Sequence, residues 1–443
     1  MTRFALALFF LVPPLPAAWL AGAAAVSITP DEPVWMAGYA FRDRSSESVR
    51  QPIHAKALAL RDAATGVTSV LVTLDLVGIR RTMAEAIATR VTARHGIPRE
   101  RILFNASHTH SGPLTGEAAT SYRYRMGDQP GRHLAAIGRY TQALPAKIEQ
   151  SIERAIASLA PATLHFEQGF AGFAVNRRRV GHREFPGPVD HDVPVLAVKG
   201  ADGTLRAVLF GYACHSTVMA DYAISGDYPG YAQAALEKRH PGAVALFLQG
   251  AGADQNPLPR RKVEHLERYG ATLADAVDEV LAGKLRAVAG PLRAAIEFPE
   301  LQFAKPPSRE QYRARLSSKD EIERLHARRM LDTLDRDGHL HDTVLYPIQA
   351  WRFGDAFTLL ALAGELVVDY SLRFKQQYGW ERTWVAGYAN DVFGYIPSAR
   401  VLKEGGYEGG EAFRFSAFPG AFAGDVEDRV VAGVDRVMRA VER

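Results

Sequence analysis

Short β-branched runs alternate with longer amphipathic ones along most of this chain, and that rhythm suits a β-sheet flanked by helices. The runs SVLVTLDLVG (Ser69–Gly78), RILFNAS (Arg101–Ser107), VPVLAVK (Val193–Lys199), RAVLFGYACH (Arg206–His215), AVALFLQ (Ala243–Gln249), AFTLLALAG (Ala356–Gly364) and TWVAGYA (Thr383–Ala389) read as strands. Helical spacing follows several of them, over Arg81–His95, Arg139–Leu159, Tyr228–Arg239, Glu264–Leu281 and Glu365–Tyr378. The expected fold is α/β, a mixed β-sheet core flanked by helices, with the active site at the strand C-terminal ends. The 443 residues contain no low-complexity linker and no internal repeat, which allows one large unit or two tightly joined lobes. Hydrophobic residues at 47% and charged residues at 23% exclude a disordered or fibrous chain.

The start, MTRFALALFFLVPPLPAAWLAGAAA, combines an early arginine, an apolar stretch and a small-residue end. It reads as an export signal over residues 1–25, processed near Ala23 or Ala25, with the folded domain at 26–443 and an exported (periplasmic or extracellular) location. Pro13, Pro14 and Pro16 break the apolar stretch, which argues against a membrane anchor needing about 20 uninterrupted apolar residues. Cys214 is the only cysteine, so no disulfide forms within the chain and the core must hold it. Basic residues exceed acidic ones by only 53 to 49. Their densest stretch, Arg309–Asp337, mixes both signs at helical spacing, as a solvated helix face does and a nucleic-acid patch does not.

One regularity carries chemistry. His108, His215, the loop GAGADQNP after Gln249, Glu365 and the segment from Asn390 onward each follow the end of an expected strand. In open α/β sheets the ligand crevice lies there. In NASHTHSGP (Asn105–Pro113), an extended backbone would put His108 and His110 on one face, fit either for a metal ligand beside an acid/base group or for two histidines satisfied by backbone groups. His215 closes an apolar strand, where an unpartnered imidazole is costly. Two histidines and a glutamate on separate strand ends match the His2Glu set of catalytic zinc sites, although Glu365 also reads as a carboxylate at a helix start.

NASHTHSGP resembles the HTHSGP signature of neutral ceramidases. VNRR (Val175–Arg178), GYACHS (Gly211–Ser216), AGELVVDYSLR (Ala363–Arg373), GYANDVFGY (Gly387–Tyr395) and GGYEGG (Gly405–Gly410) follow in that family's order. The resemblance runs from about Ser27 to the C-terminus and implies the family's catalytic domain without its C-terminal immunoglobulin-like domain. It implies zinc bound by His108, His215, Glu365 and Tyr395, with His110, Arg177 and Tyr407 beside the substrate amide. Where the family has a QSN segment with a nucleophilic serine, this chain has Gly250, whose backbone N–H, with that of Gly252, is a candidate contact for an anion, although a plain Gly-rich turn accounts for the pair more simply. Asp254 is a candidate hydrogen-bond partner of a zinc ligand or a turn residue.

Without that serine the expected nucleophile is water, whose pKa zinc lowers from about 16 to about 7. The expected substrate is a small-molecule or lipid N-acyl amide, with no nucleic-acid partner. Two alternatives remain: an esterase, lactonase or other amidohydrolase on the same site, and a zinc-containing protein that binds lipid or ligand without turnover. Phe413, Phe415, Phe418 and Phe422 are candidates for an acyl-chain groove, a membrane contact or local core, and Leu114–Leu134 for a loop at the site mouth.

Overall fold

Strands that read as unbroken apolar runs need cover on both faces, and this chain supplies it with four layers. The computed structural model describes residues 18–116, 126, 130–181 and 184–442. Residues 1–17 of the expected leader, and Tyr122 and Tyr124 of the expected mouth loop, lie outside the described residues.

The main sheet contains β1 (Trp19–Ser27), β2 (His54–Asp62), β3 (Thr68–Leu74), β4 (Ile102–Ala106), β5 (Ala160–Phe170), β6 (Asp192–Gly200), β7 (Leu205–Tyr212) and β8 (Val244–Gln249), with the short β9 (Arg286–Val288) beside β5. Its order is β8-β7-β6-β5-β1-β2-β3-β4. The pairs β3/β4 and β7/β8 are parallel and the other neighbours antiparallel. A second sheet orders β10 (Leu292–Glu297), β11 (Ile348–Phe353), β12 (Phe357–Leu362) and β13 (Thr383–Ala386), with β12 and β13 parallel. This mixed architecture is of the expected α/β class.

Alternation along β2 shows how the layers are built. Ala55, Ala57 and Ala59 pack under the helices α1 (Arg81–His95) and α2 (Pro130–Ala157), while Leu58 and Leu60 point into the core shared with Trp351, Phe357 and Trp384 of the second sheet. The helices α3 (Asp227–Arg239) and α4 (Val263–Ala282) cover β6, β7 and β8. Next along the chain come α5 (Arg309–Arg315) and α6 (Glu321–Asp337), then α7 (Val368–Tyr378) and α8 (Val426–Glu442), of which the last two cover the far face of the second sheet. Among the described residues no helix is long and apolar enough to cross a membrane.

Two expectations change. The junction near Ala23 or Ala25 falls inside β1, which pairs with β2 from Trp19 to Ser27 and with β5 through Trp19–Ala21. Cleavage there would remove most of a central strand, so a processing point compatible with this sheet lies before Trp19. Glu365 does not begin a helix: Gly364 at φ +71 turns the chain, Glu365–Leu366 pairs with Tyr395–Ile396, and α7 starts only at Val368.

Candidate metal centre

All the parallel pairs end at one edge of the sandwich, and their trailing segments meet there. After β4, His108 takes a left-handed backbone (φ 57), which histidine tolerates better than most residues. Its Nδ1 lies 2.6 Å from the carbonyl of Val77. After β7, the His215 N–H donates to Gln255 O, and its Nδ1 lies 2.7 Å from the carbonyl of Gly252. After β12, Glu365 is the direct register partner of Tyr395. His108 and His110 do converge, with Nε2 atoms 3.1 Å apart, but through this turn rather than by strand alternation.

The protonation follows from the acceptors. A carbonyl can only accept, so His108 and His215 each carry hydrogen on Nδ1 and turn Nε2 inward, where a neutral ring presents a lone pair. Those two Nε2 atoms lie 3.2 and 3.3 Å from the same atom, Glu365 Oε2. Burial pushes the His215 pKa down to about 4, which keeps that ring neutral at pH 7. Burial works against the Glu365 carboxylate, and the group lies well below its ordinary range only with positive charge on the side of His108 and His215, which neutral rings by themselves do not supply. Two lone pairs and a buried carboxylate oxygen without a hydrogen-bond donor repel one another unless a cation lies between them. The ligand nitrogens of His108, His110 and His215 all fall within 4.8 Å of one another. The donor set suits zinc.

Around this triad the expected residues separate by position. Tyr395 Oη lies 3.4 Å from His215 Nε2 and accepts a 3.0 Å hydrogen bond from Arg177 Nη2. Arg177 also donates to Glu408 Oε1 at 2.6 Å and lies over the rings of Tyr395 and Tyr407. Tyr407 is exposed at the rim, its ring 5.2 Å from that of Tyr395. His110 is half-buried between Tyr39 and His108, with desolvation first and the neighbouring imidazoles second pushing its pKa well down. Arg42 donates to the His110 carbonyl at 2.7 Å and so fixes its backbone.

Gly250 is not part of this site. Its N–H already donates to Tyr212 O, it bridges to Ala386, and a Cβ there would press on Ala213 at 3.0 Å, so no anion reaches it. The Gly252 N–H likewise donates to Gly250 O; its useful group is the carbonyl that orients His215. Asp254 touches no zinc-ligand candidate. It accepts from Asn176 Nδ2 and from the Val368 N–H, tying the Arg177 segment to the start of α7.

The centre opens into a cavity of about 600 Å³. His108, His110, Glu365, Tyr395 and Tyr407 line it, as do Phe413, Phe415 and Phe418 of the expected aromatic cluster, while Phe422 stacks behind on Phe303 at 4.9 Å. The sequence reading missed Tyr388, whose ring lies 4.5 Å from His108 and whose buried hydroxyl has no hydrogen-bond partner among the described residues. Its φ of 53 has no sequence signature. It also missed Asn105 as the clasp of the site. The Asn105 amide accepts from the Gln249 N–H and donates to Gly387 O, joining β4 to β8 and to the second sheet.

A family model described as neutral/alkaline non-lysosomal ceramidase, N-terminal, matches residues 19–301. The chain belongs to that family. The matched segment contains His108, His110, Arg177 and His215, whereas Glu365, Tyr395 and Tyr407 lie beyond it and join the site through the geometry above. Neutral ceramidase of Pseudomonas aeruginosa is 29% identical over 241 residues, which cover 51% of this chain and 34% of that protein. The match thus spans about a third of that relative's length. The crystal structure of neutral ceramidase from Pseudomonas aeruginosa has the same fold, with a TM-score of 0.76 and 22% identity over 97% of this chain and 75% of that one. A ceramidase complexed with C2 superposes similarly, with a TM-score of 0.75 and 20% identity over 97% of this chain and 76% of that one.

Proposed function

We propose that this ceramidase-family chain is an exported, zinc-dependent hydrolase of N-acyl amide bonds, acting on ceramide or a related acyl amine. The observation that carries the reading is the inward-facing trio of His108 Nε2, His215 Nε2 and Glu365 Oε2 at the floor of a partly aromatic cavity. These three residues would hold the ion, with Tyr395 as the adjoining fourth group. Zinc in such a set supplies Lewis acidity and a water acidic enough to be a nucleophile at neutral pH.

The remaining work falls to the chain itself. Neutral His110, beside His108, takes the proton released by the attacking water and returns it to the departing amine nitrogen. Arg177 fixes the Tyr395 hydroxyl, and Tyr407 at the rim donates toward the amide oxygen as charge develops there. Gly250 supplies no hydroxyl and has no step. Phe413, Phe415 and Phe418 cover the acyl chain.

Metal analysis with turnover assays tests this reading. About one zinc per chain is expected, with hydrolysis of ceramide or N-acylethanolamine lost on chelation and restored by zinc. His108→Ala and Glu365→Ala should abolish turnover. Undiminished hydrolysis by metal-free protein would sink the reading, and a preference for matched esters over amides would move it to an esterase. Export predicts a processed chain in the periplasm or medium, its N-terminus at or before Trp19.

A further inference from the structure

We propose that Tyr388 is a second tyrosine of the metal centre, its hydroxyl a hydrogen-bond donor to a small ligand held there beside His108, in turnover the attacking water. This rests on reading His108, His215 and Glu365 as metal ligands, and it supplies a positioning donor that the reading leaves out.

Tyr388 is fully buried, and among the described residues nothing accepts from its hydroxyl or donates to it. A buried hydroxyl left unmatched is costly unless a ligand completes it. The ring packs on His108 with centroids 4.5 Å apart and lies 6.3 Å from the ring of His215. Among the charges acting on the hydroxyl, the Glu365 carboxylate acts most strongly, ahead of Arg177 and Asp254. The hydroxyl thus shares its surroundings with Glu365 Oε2, a buried oxygen that also has no hydrogen-bond partner. These two are not bonded to each other. A cation carrying a small acceptor completes both, the cation for the carboxylate and the acceptor for the O–H.

The backbone holds this ring in place against its own preference. Tyr388 has φ 53, a left-handed conformation that a bulky side chain rarely adopts and that persists only where the surroundings impose it. Its N–H donates to Gly364 O at 2.9 Å, one residue before Glu365. Its carbonyl accepts from the Ala106 N–H at 3.3 Å, two residues before His108. The two segments that deliver those ligands therefore also fix the tyrosine between them. Tyr395 differs, since its oxygen beside His215 is already engaged by Arg177. Tyr388 is not among the described lining residues of the cavity, so it meets a ligand of one or two atoms at the floor and not the body of a substrate. A phenol with an ordinary pKa of about 10 keeps its proton at neutral pH and is a donor there.

The test loads the protein with cobalt, whose visible bands report what the ion binds, and titrates it with fluoride, a strong hydrogen-bond acceptor, and thiocyanate, a weak one. Tyr388→Phe keeps the ring and removes only the hydroxyl. It should weaken fluoride by about tenfold or more, the factor expected of a hydrogen bond to a charged acceptor, and leave thiocyanate within about threefold. Metal affinity, read by competition with a chelator, should also stay within about threefold. The metal-free variant should unfold at a urea midpoint no lower than wild type, because it sheds an unmatched group. With zinc and N-dodecanoylethanolamine, kcat should fall while KM holds. Equal fluoride affinity in the two proteins, or equal losses of fluoride and thiocyanate, overturns the inference. So does a lower urea midpoint, which marks a structural hydroxyl, or a loss of metal affinity as large as that of fluoride, which marks a direct ligand. If wild type takes up neither zinc nor cobalt, the reading of the centre fails and the inference falls with it.

Discussion

Gly38 is a sensitive point for testing whether His110 takes part in catalysis. It has φ +91, and a Cβ built on it would stand 2.6 Å from His110 Nδ1 and 2.7 Å from His110 Cβ, with Cγ also in contact. Ordinary carbon contacts are about 3.5–4.0 Å, so in Gly38→Ala the imidazole must withdraw by about 1 Å. The left-handed backbone adds about 1–2 kcal/mol of strain for alanine. A shift of about 1 Å in a reacting group is worth about 100-fold in rate. Gly66 is the matched control, with φ +69 and no atom within 4 Å of its built Cβ. Gly38→Ala should lose about 100-fold in kcat on an N-acyl amide and Gly66→Ala almost none, while circular-dichroism melts show a drop of a few degrees in both. Equal kcat in the two variants, or a Gly38→Ala rate within threefold of wild type, would refute the role given to His110.

Two further outcomes follow from groups nearby. Burial, followed by neighbouring arginines and opposed by the bond from His326 to Phe418 O, pushes the His326 pKa down to about 4 from its ordinary value near 6.5. The unfolded chain therefore binds this proton first, so His326 contributes stability above about pH 6.5 that is lost as pH falls toward 4. His326→Gln should flatten the fall in urea midpoint between pH 7 and pH 5 relative to wild type, and parallel falls would count against it. Arg177→Ala leaves Glu408 still paired with Arg178 at 2.7 Å but takes the donor from Tyr395. Stability should therefore drop by about 1–3 kcal/mol in urea titration while turnover falls far more, and a variant with unimpaired kcat would remove Arg177 from the site.

Much of the fold was legible because its parallel strands are apolar without interruption. Arg81–His95 was read to the residue, and seven strands were found within a few positions. His54–Asp62 escaped because its alanines and charges have no strand bias, and Trp19–Ser27 because an alanine-rich stretch after an apolar start looks like a processing site. His108, His215 and Glu365 were legible as a set since each trails a strand of a parallel pair, and such ends share an edge. The mistaken role was Gly250, whose place in the chain suggested a reactive loop but whose N–H is committed to Tyr212 O. Nor could the sequence reveal the carbonyls of Val77 and Gly252, which decide the tautomers. Any residue can provide a carbonyl, so only the folded path of the chain selects these two.

The highly charged stretch Arg309–Asp337, expected to be a solvated face, has a buried side as well. His326 holds Phe418 O at 2.9 Å, Arg329 donates to Arg414 O at 2.6 Å, and Tyr312 donates to Pro419 O at 3.3 Å. The aromatic wall of the cavity is thus suspended by its backbone, which leaves the Phe415 and Phe418 side chains open to exchange without loss of these bonds.

β5 touches β1 through only three register pairs, Trp19–Ala21 against Ala160–Ala162, so the main sheet is two halves, of four and five strands, with a narrow seam. His108 trails the first half, His215 the second, and Glu365 the other sheet. Whatever occupies the centre is therefore a rivet through three plates, and the tightness with which it is gripped measures how closely those plates have been drawn together far from the rivet itself.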